Sequence, residues 1–191
     1  MRVYLAGPDV FLPDPRARGA ALKAICARHG LTGVFPMDGL DAEPDAWAAL
    51  AEPYRIALRN EAHIRGADAL IANLTPFRGP SADVGTVFEL GFMRALGRPV
   101  FGWSTGHADF SARTRAFLGA AATVAEDGTW RDQEGLALES FGCLDNLMID
   151  GAVVASGGVL EICELHGAAR WTDLAAFERC VVRAARVLRG G

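Results

Sequence analysis

Residues 67–100 read "ADALIANLTPFRGPSADVGTVFELGFMRALGRPV", and this stretch decides the fold class. Its first eight residues are almost continuously apolar, which is expected of a strand that is covered on both faces. A turn-rich loop follows at 75–82, then an amphipathic helix is predicted over 84–96 and another strand over 98–104. A strand, a crossover helix and a second strand form the repeating unit of a parallel sheet.

The same alternation of strands and helices continues on either side of this stretch. The further predicted elements are strands over 2–7 and 31–37 and helices over 15–30, 53–65 and 172–190. The sequence therefore predicts a single α/β domain over residues 1–191. Its expected architecture is a doubly wound, flavodoxin- or Rossmann-like parallel sheet with helices on both faces.

The pattern weakens after residue 104. A helix is expected over 114–125, and the region 125–165 is polar, punctuated by glycine and without a predicted strand. Such a region is long for a connection in a compact domain, and this usually indicates a functional loop or a segment that packs on a partner. The closing helix is expected to use Thr172 or Asp173 as its N-cap.

The composition narrows the class of protein. Of the 191 residues, 51% are hydrophobic and 22% are charged, as in a globular domain. A formal net charge of −4 with scattered lysine and arginine gives no reason to expect nucleic-acid binding. There is no run of about 18 apolar residues, so no membrane interaction is expected. The widely spaced cysteines lack zinc-ligand spacing and favour a metal-free protein in a reducing cytoplasm.

Two carboxylates stand near the start of the predicted helix over 84–96. Asp83 occupies the N-cap position, which by itself is enough to explain an aspartate there. Glu89 lies one turn from Gly85, whose missing side chain leaves room for a ligand to approach the helix. Ligands of doubly wound sheets bind beyond the carboxyl ends of the strands, so Glu89 is a candidate nucleophile or general base.

Asp68 and Tyr4 are two further polar residues in predicted strands. Asp68 begins an apolar run, where an acid is costly unless it has a partner, and it could equally mark the end of the preceding element. Core packing with the hydroxyl at the rim would be enough to explain Tyr4. Three acids and a tyrosine without a metal motif favour chemistry at an acetal-like carbon, where carboxylates act as nucleophile and proton donor.

"VYLAGPDVF" (3–11), followed by the stretch over 67–100, resembles the nucleoside 2-deoxyribosyltransferase family. "FGCLDNLMI" (141–149) is similar to the segment with which that family completes the site of a neighbouring subunit. The resemblance implies transfer of a 2-deoxyribosyl group between nucleobases through a covalent ester on a glutamate, without a cofactor. It also implies deoxynucleosides and free nucleobases as substrates, and a homo-oligomer in which a dimer shares its sites.

The resemblance further implies roles for individual residues. Glu89 is the expected nucleophile at the anomeric carbon, Tyr4 holds its carboxylate, and Asp68 exchanges a proton with the base. Asp83 is expected to bind the sugar hydroxyls, and Asn146 to reach in from the adjacent protomer. The other expected substrate contacts are Gly7, Phe11, Phe77 and Gly85.

Two other functions stay open from the sequence. A hydrolase of deoxynucleoside 5′-monophosphates on the same architecture would need the start of the helix free for phosphate, with a small neutral residue in place of Asp83. Arg78 and Ser81 lie nearby and favour that alternative. A sensing domain without catalysis could share the fold, because a fold does not determine a function, but it would be expected to lack one of the catalytic residues.

Overall fold

The structure is a computed structural model that describes residues 1–40, 42–106 and 109–190. The strands are β1 (Arg2–Ala6), β2 (Thr32–Val34), β3 (Ala69–Asn73), β4 (Val100–Ser104), β5 (Thr123–Val124), β6 (Trp130–Arg131) and β7 (Leu160–Ile162). The α-helices are α1 (Pro15–Arg28), α2 (Glu52–Arg65), α3 (Val84–Ala95), α4 (Phe110–Leu118), α5 (Leu147–Ala155), α6 (Ala169–Thr172) and α7 (Ala175–Leu188). Short 3-10 helices cover Pro8–Phe11, Asp45–Ala49 and Gly119–Ala121.

Five strands form a parallel sheet in the order β2-β1-β3-β4-β7. Every residue of β3 and β4 is buried, which explains the continuous apolar runs in their sequences. The chain builds outward from β1 in both directions, as a doubly wound sheet does. The predicted fold class is thereby confirmed.

The two faces of the sheet carry separate hydrophobic cores. Val3 and Leu5 of β1 point to the face that is covered by α1 and α7. Tyr4 and Ala6 point to the opposite face, which is covered by α2, α3 and α5. This division follows from the two-residue period of a strand. Tyr4 is therefore directed toward the helix that carries Glu89.

The chain after β4 differs from the prediction. Helix α4 begins and ends earlier than the expected helix over 114–125, because Asp109 caps its start and Gly119 ends it with a φ of 59°. The last residues of the expected helix belong instead to β5, which pairs with β6 in an antiparallel hairpin.

The region 125–165, for which no strand was predicted, contains β6, α5 and β7. Strand β7 adds a fifth strand to the sheet beside β4. With three partly exposed residues it is too short to show a periodic pattern in the sequence. The N-cap of α7 is Leu174 rather than Thr172 or Asp173, although Asp173 Oδ1 does accept a hydrogen bond from the N–H of Ala175 (2.8 Å).

Candidate active site

Helix α3 begins directly after Asp83, whose side chain caps it. Asp83 Oδ2 accepts hydrogen bonds from the backbone N–H of Thr86 (2.9 Å) and from Thr86 Oγ1 (3.0 Å). A first-turn donor of the helix is thereby satisfied, and this is the capping role that the sequence predicts. Among the described residues, Asp83 Oδ1 has no hydrogen-bond partner, so this oxygen is available to a ligand.

Glu89 lies in the second turn of α3 and is held by Tyr4 of β1. Tyr4 Oη donates a hydrogen bond of 2.7 Å to Glu89 Oε1, joining residues that are 85 positions apart. The tyrosine is fully buried, and Glu89 is partly buried. A short hydrogen bond from a buried donor fixes the orientation of the carboxylate.

Burial raises the pKa of the Glu89 carboxyl from its ordinary value to about 7. The hydrogen bond from Tyr4 lowers this pKa, whereas the negative charge of Asp83 raises it further. Burial, the charge of Glu89 and the hydrogen bond to it raise the pKa of Tyr4 well above its usual range, so the phenol keeps its proton. A carboxyl group with a pKa near neutrality is typical of catalytic sites.

A cavity of about 250 Å³ lies between α2 and α3, and we call it the Glu89 cavity. Its walls are Gly85, Phe88 and Glu89 on α3, and Ala57, Asn60, Glu61 and Ile64 on α2. Both sets follow the spacing of a single helix face. Gly85 contributes no side chain and so keeps this space open; its expected contact with a ligand stays a prediction. The volume is below that of pockets for drug-sized molecules and is suited to one small ring.

Asn60 is the residue on this wall that the sequence analysis missed. Its Nδ2 lies 3.4 Å from Glu89 Oε1, in a long hydrogen bond. Its Oδ1 is buried and has no partner among the described residues. An unpaired buried acceptor is costly, and a donor on a ligand would satisfy it. The sequence did contain one indication of this position. Asn60 is four residues before Ile64, and this spacing places both on the inner side of the predicted helix.

Among the described residues Asp68 makes no hydrogen bond or ion pair with Glu89, so its expected role in proton exchange stays a prediction that its position does not favour. Asp68 is exposed and directly precedes β3, so it lies at the amino end of the strand. There its Oδ2 accepts a hydrogen bond of 2.7 Å from the backbone N–H of Arg2. This position fits the other interpretation given in the sequence analysis, in which Asp68 is a polar residue at the end of a secondary-structure element.

Phe11 and Phe77 meet in an aromatic slot with a volume of about 300 Å³. Their rings stack at 5.3 Å, and Trp171 contacts Phe77 edge-on at 6.1 Å. The Arg78 guanidinium lies 4.6 Å from the centre of the Phe77 ring. Arg78 also has a φ of 56°, a left-handed conformation that is uncommon for residues other than glycine and frequent at functional sites. Flat apolar surfaces of this kind suit a planar base.

Gly7 has a packing role between β1 and β3. A Cβ at this position would lie 2.6 Å from Asp9 Oδ2 and 2.7 Å from Asn73 Cβ, so only glycine fits. Asp9 is buried and accepts hydrogen bonds from Asn73 Nδ2 (2.9 Å) and from Arg18 Nε (2.7 Å). These contacts fasten the loop that carries Phe11 to the end of β3.

Asn146 caps helix α5, since its Oδ1 accepts a hydrogen bond from the N–H of Met148 (3.0 Å). Its Nδ2 donates to Glu139 Oε2 (2.6 Å). Within the described part of one chain, Asn146 makes no contact with Glu89. The neighbouring Asp145 is fully buried and accepts a hydrogen bond from the backbone N–H of Ala82 (2.8 Å). The 141–149 segment therefore supports the loop before α3 of its own chain.

The described residues contain no group of three or more His, Cys, Asp or Glu side chains that could hold a metal ion. No helix in the same ranges is long and apolar enough to cross a membrane.

The model of the nucleoside 2-deoxyribosyltransferase family matches residues 3–148. This chain belongs to that family. A curated relative, "Uncharacterized protein C191.05c" of Schizosaccharomyces pombe, is 32% identical over 169 residues, which cover 84% of this chain and 80% of the relative.

A solved structure of a 2-deoxyribosyltransferase has the same fold. A 2-deoxyribosyltransferase from Leishmania mexicana is 28% identical, with a TM-score of 0.58 over 94% of this chain and 96% of that chain. A CMP N-glycosidase of Clostridium botulinum is 18% identical over 54% of this chain and 71% of that chain, with a TM-score of 0.36. This second likeness is too low to indicate an activity. The mostly parallel sheet with helices around it is thus the nucleoside 2-deoxyribosyltransferase fold.

Proposed function

We propose that this member of the nucleoside 2-deoxyribosyltransferase family is an enzyme that moves a 2-deoxyribosyl group between nucleobases through a covalent ester on Glu89. The observation that carries the proposal is the buried 2.7 Å hydrogen bond from Tyr4 to Glu89 at the wall of an open cavity. Glycosyl transfer with a covalent intermediate needs a carboxylate that is oriented and partly desolvated. Family membership supports the same reaction.

In the first step a Glu89 oxygen forms a bond to the anomeric carbon while the bond from that carbon to the base nitrogen breaks. The electron pair stays on the nitrogen, which takes up a proton. An oxocarbenium-like charge develops at the sugar, and the Glu89 carboxylate stabilises it. The amide of Asn60, the side chain next to Glu89, is too weak an acid to transfer a proton to the leaving base, so we assign this proton to water.

In the second step the nitrogen of an incoming base attacks the anomeric carbon and displaces the Glu89 carboxylate. The proton of that nitrogen returns to water, and Glu89 is regenerated. Tyr4 holds the carboxylate through both steps, because its raised pKa keeps the phenol protonated. The chemistry needs no metal or organic cofactor.

Substrate contacts are assigned from Asp83, which lies near Glu89, and from the aromatic slot, which shares no wall residue with the Glu89 cavity. We assign the sugar hydroxyls to Asp83, whose Oδ1 accepts no hydrogen bond from a described residue. The base is assigned to the aromatic slot of Phe11 and Phe77. A carboxylate at the start of α3 repels a 5′-phosphate there, which favours free deoxynucleosides over their 5′-monophosphates. The monophosphate hydrolase is the alternative that this argument disfavours.

A homo-oligomer with shared sites is also part of the proposal. Its support is a set of exposed apolar side chains on α3, which lines the Glu89 cavity, and on α5, which packs against α3. These are Val84 (85% exposed), Phe88 (61%), Met148 (71%) and Val154 (70%). Such side chains are typical of a surface that packs on another copy. Light scattering at assay concentration tests this, and a catalytically competent monomer would contradict it.

A base-exchange assay tests the function. The protein is incubated with a deoxynucleoside and a different free base, and both nucleosides are followed by chromatography. We expect the second deoxynucleoside to accumulate as the first declines. Release of the free base alone, without a new nucleoside, would show a hydrolase instead.

A further inference from the structure

A third cavity, of about 430 Å³, lies where residues that follow β3 and β7, together with Gly106, meet helices α4 and α6. We call it the arginine pocket. Its charged wall residues are Arg78, Arg113, Arg170, His166 and Glu164. The wall therefore carries three arginines and one glutamate, and the charge of Arg113 is offset by nearby carboxylates behind the wall, those of Asp145, Asp109 and Asp150. A concave surface of one charge sign concentrates ligands of the opposite sign.

Arg113 is a structural part of this wall. Its Nε donates to the carbonyl oxygen of Pro80 (2.8 Å), and its Nη2 donates to that of Leu144 (2.6 Å). The side chain also pairs with the buried carboxylate of Asp145 at 3.4 Å. Arg113 thus fixes the shape of the pocket, while nearby carboxylates offset its charge, so the excess positive charge of the wall comes from Arg78 and Arg170.

Arg170 and Arg78 have donors that the fold leaves unused. Arg170 Nη2 donates to the carbonyl oxygen of Pro76 (3.0 Å), while its Nε is buried without a partner among the described residues. A buried, unpaired guanidinium N–H is costly and is satisfied by an anionic acceptor. Arg78 is exposed and contacts rings only, with no hydrogen bond in the described structure.

The pocket adjoins the aromatic slot. Arg78 and Trp171 line both cavities, so a ligand with a charged group in the arginine pocket has a planar apolar surface beside it. A phosphate matches the planar donor fork of arginine and accepts several hydrogen bonds at once. The volume exceeds that of a phosphate alone and leaves room for an attached organic group.

We propose that the arginine pocket is a binding site for the phosphate group of a nucleoside phosphate, with Arg170 and Arg78 as its donors. The inference goes beyond the proposed transfer reaction, which involves no phosphate. The same chemistry would also accept free inorganic phosphate, and the experiment separates these two sources.

The test is calorimetric titration of the full chain with deoxyadenosine 5′-monophosphate, inorganic phosphate and deoxyadenosine. We expect the monophosphate to bind, and more weakly at higher salt, because arginine–phosphate contacts are screened. Arg78→Gln and Arg170→Lys should each weaken monophosphate binding about tenfold, the loss of one charge-assisted hydrogen bond. Binding of deoxyadenosine should not respond to salt. Inorganic phosphate that binds and competes shows that the phosphate group alone is recognised; a monophosphate that binds when phosphate does not shows that the nucleoside is also needed.

Arg183→Gln is the matched control, since Arg183 is an exposed arginine of α7 that does not line the pocket. Arg78→Gln removes no hydrogen bond of the described structure, so it should fold even if Arg170→Lys does not. Equal affinities in Arg78→Gln and Arg183→Gln would overturn the proposal. So would an absence of monophosphate binding. A gain in affinity with Asp83→Ser, together with no loss in Arg78→Gln, would place the phosphate at the start of α3 and overturn it as well.

Discussion

The Glu89 cavity and the arginine pocket lie beside the same sheet but differ in the sign of their charge. The Glu89 cavity has two glutamates on its walls and the negative Asp83 beside it, whereas the arginine pocket has three arginines and one glutamate. Under the two proposals made above, this difference would divide the ligands: a neutral sugar would react at the buried carboxylate, and an anion would bind at the unpaired arginine donors. Charge rather than shape separates the two ligands.

Among the variants that test this difference between the two cavities, Glu89→Gln is expected to have the largest effect, a loss of transfer activity. The amide cannot form the ester, so transfer should fall by at least about 10³-fold. A wild-type protein treated with a 2-fluoro-2-deoxy nucleoside should carry a sugar adduct in mass spectrometry, and the variant should carry none. An adduct on another residue would contradict the assignment.

The same variant should be more stable than wild type at pH 8. The pKa of Glu89 in the folded protein is about 7, which is above its value in the unfolded chain. The protonated carboxyl therefore contributes stability that is fully present below about pH 4.5, and this stability is lost as the pH rises through 7. Removing the charge should raise the free energy of unfolding at pH 8 by about 3 kcal/mol. Urea unfolding measures it, and Asp68→Asn, which neutralises an exposed acid, is the control. A variant less stable than wild type at pH 8 would contradict the burial argument.

Asp83→Ser is expected to have the next largest effect, on the choice between nucleosides and their 5′-monophosphates. Two like charges at roughly 4 Å near a surface repel by about 4 kcal/mol, which the helix dipole at about 0.3–1 kcal/mol does not offset. Serine keeps an N-cap without the charge. The ratio of kcat/KM for monophosphate over nucleoside should therefore rise about 100-fold. A wild type that cleaves the monophosphate as well as it uses the nucleoside would support the hydrolase.

The pH dependence of kcat/KM tests how Tyr4 and Asp83 set the pKa of Glu89. In wild type, activity should rise with pH through about 7, as Glu89 ionises. Tyr4→Phe removes the hydrogen bond that lowers this pKa, so the rise should move to higher pH. Asp83→Asn keeps a cap but removes the charge that raises the pKa, so the rise should move to lower pH. Shifts in the same direction for both variants would contradict this electrostatic account.

The smallest effects are expected from Asn60 and Asp68. The sequence analysis gave a catalytic role to Asp68 and none to Asn60, whereas in the structure Asn60 is the residue that contacts Glu89. Asn60→Asp places an acid beside Glu89 and should raise exchange of poorly leaving bases about tenfold, since a positioned acid can give the proton that water otherwise supplies. Asp68→Asn should stay within about twofold of wild type. Base-exchange rates for a series of leaving bases measure both. A large loss in Asp68→Asn would restore the original interpretation of Asp68.

Much of the sheet could be predicted because its signals are local. The runs over 67–74 and 98–104 are apolar on both faces, and this follows directly from their place inside a covered parallel sheet. The N-cap at Asp83 could also be predicted from the sequence, since capping involves residues three positions apart. Strand β7 and helix α5 were missed because short elements of three and nine residues carry little periodic signal.

By itself, the sequence determined the fold class, the family resemblance and the position of Glu89 in the second turn of α3. Only the tertiary structure decided which polar residues surround that carboxylate. Asp68 and Asn60 are eight positions apart, yet Asp68 lies at the amino end of β3, and Asn60 lies on a helix wall 3.4 Å from Glu89. Residue type and spacing report the local element, whereas a shared site depends on the packing of distant elements, here α2 and α3 across the sheet from α1 and α7.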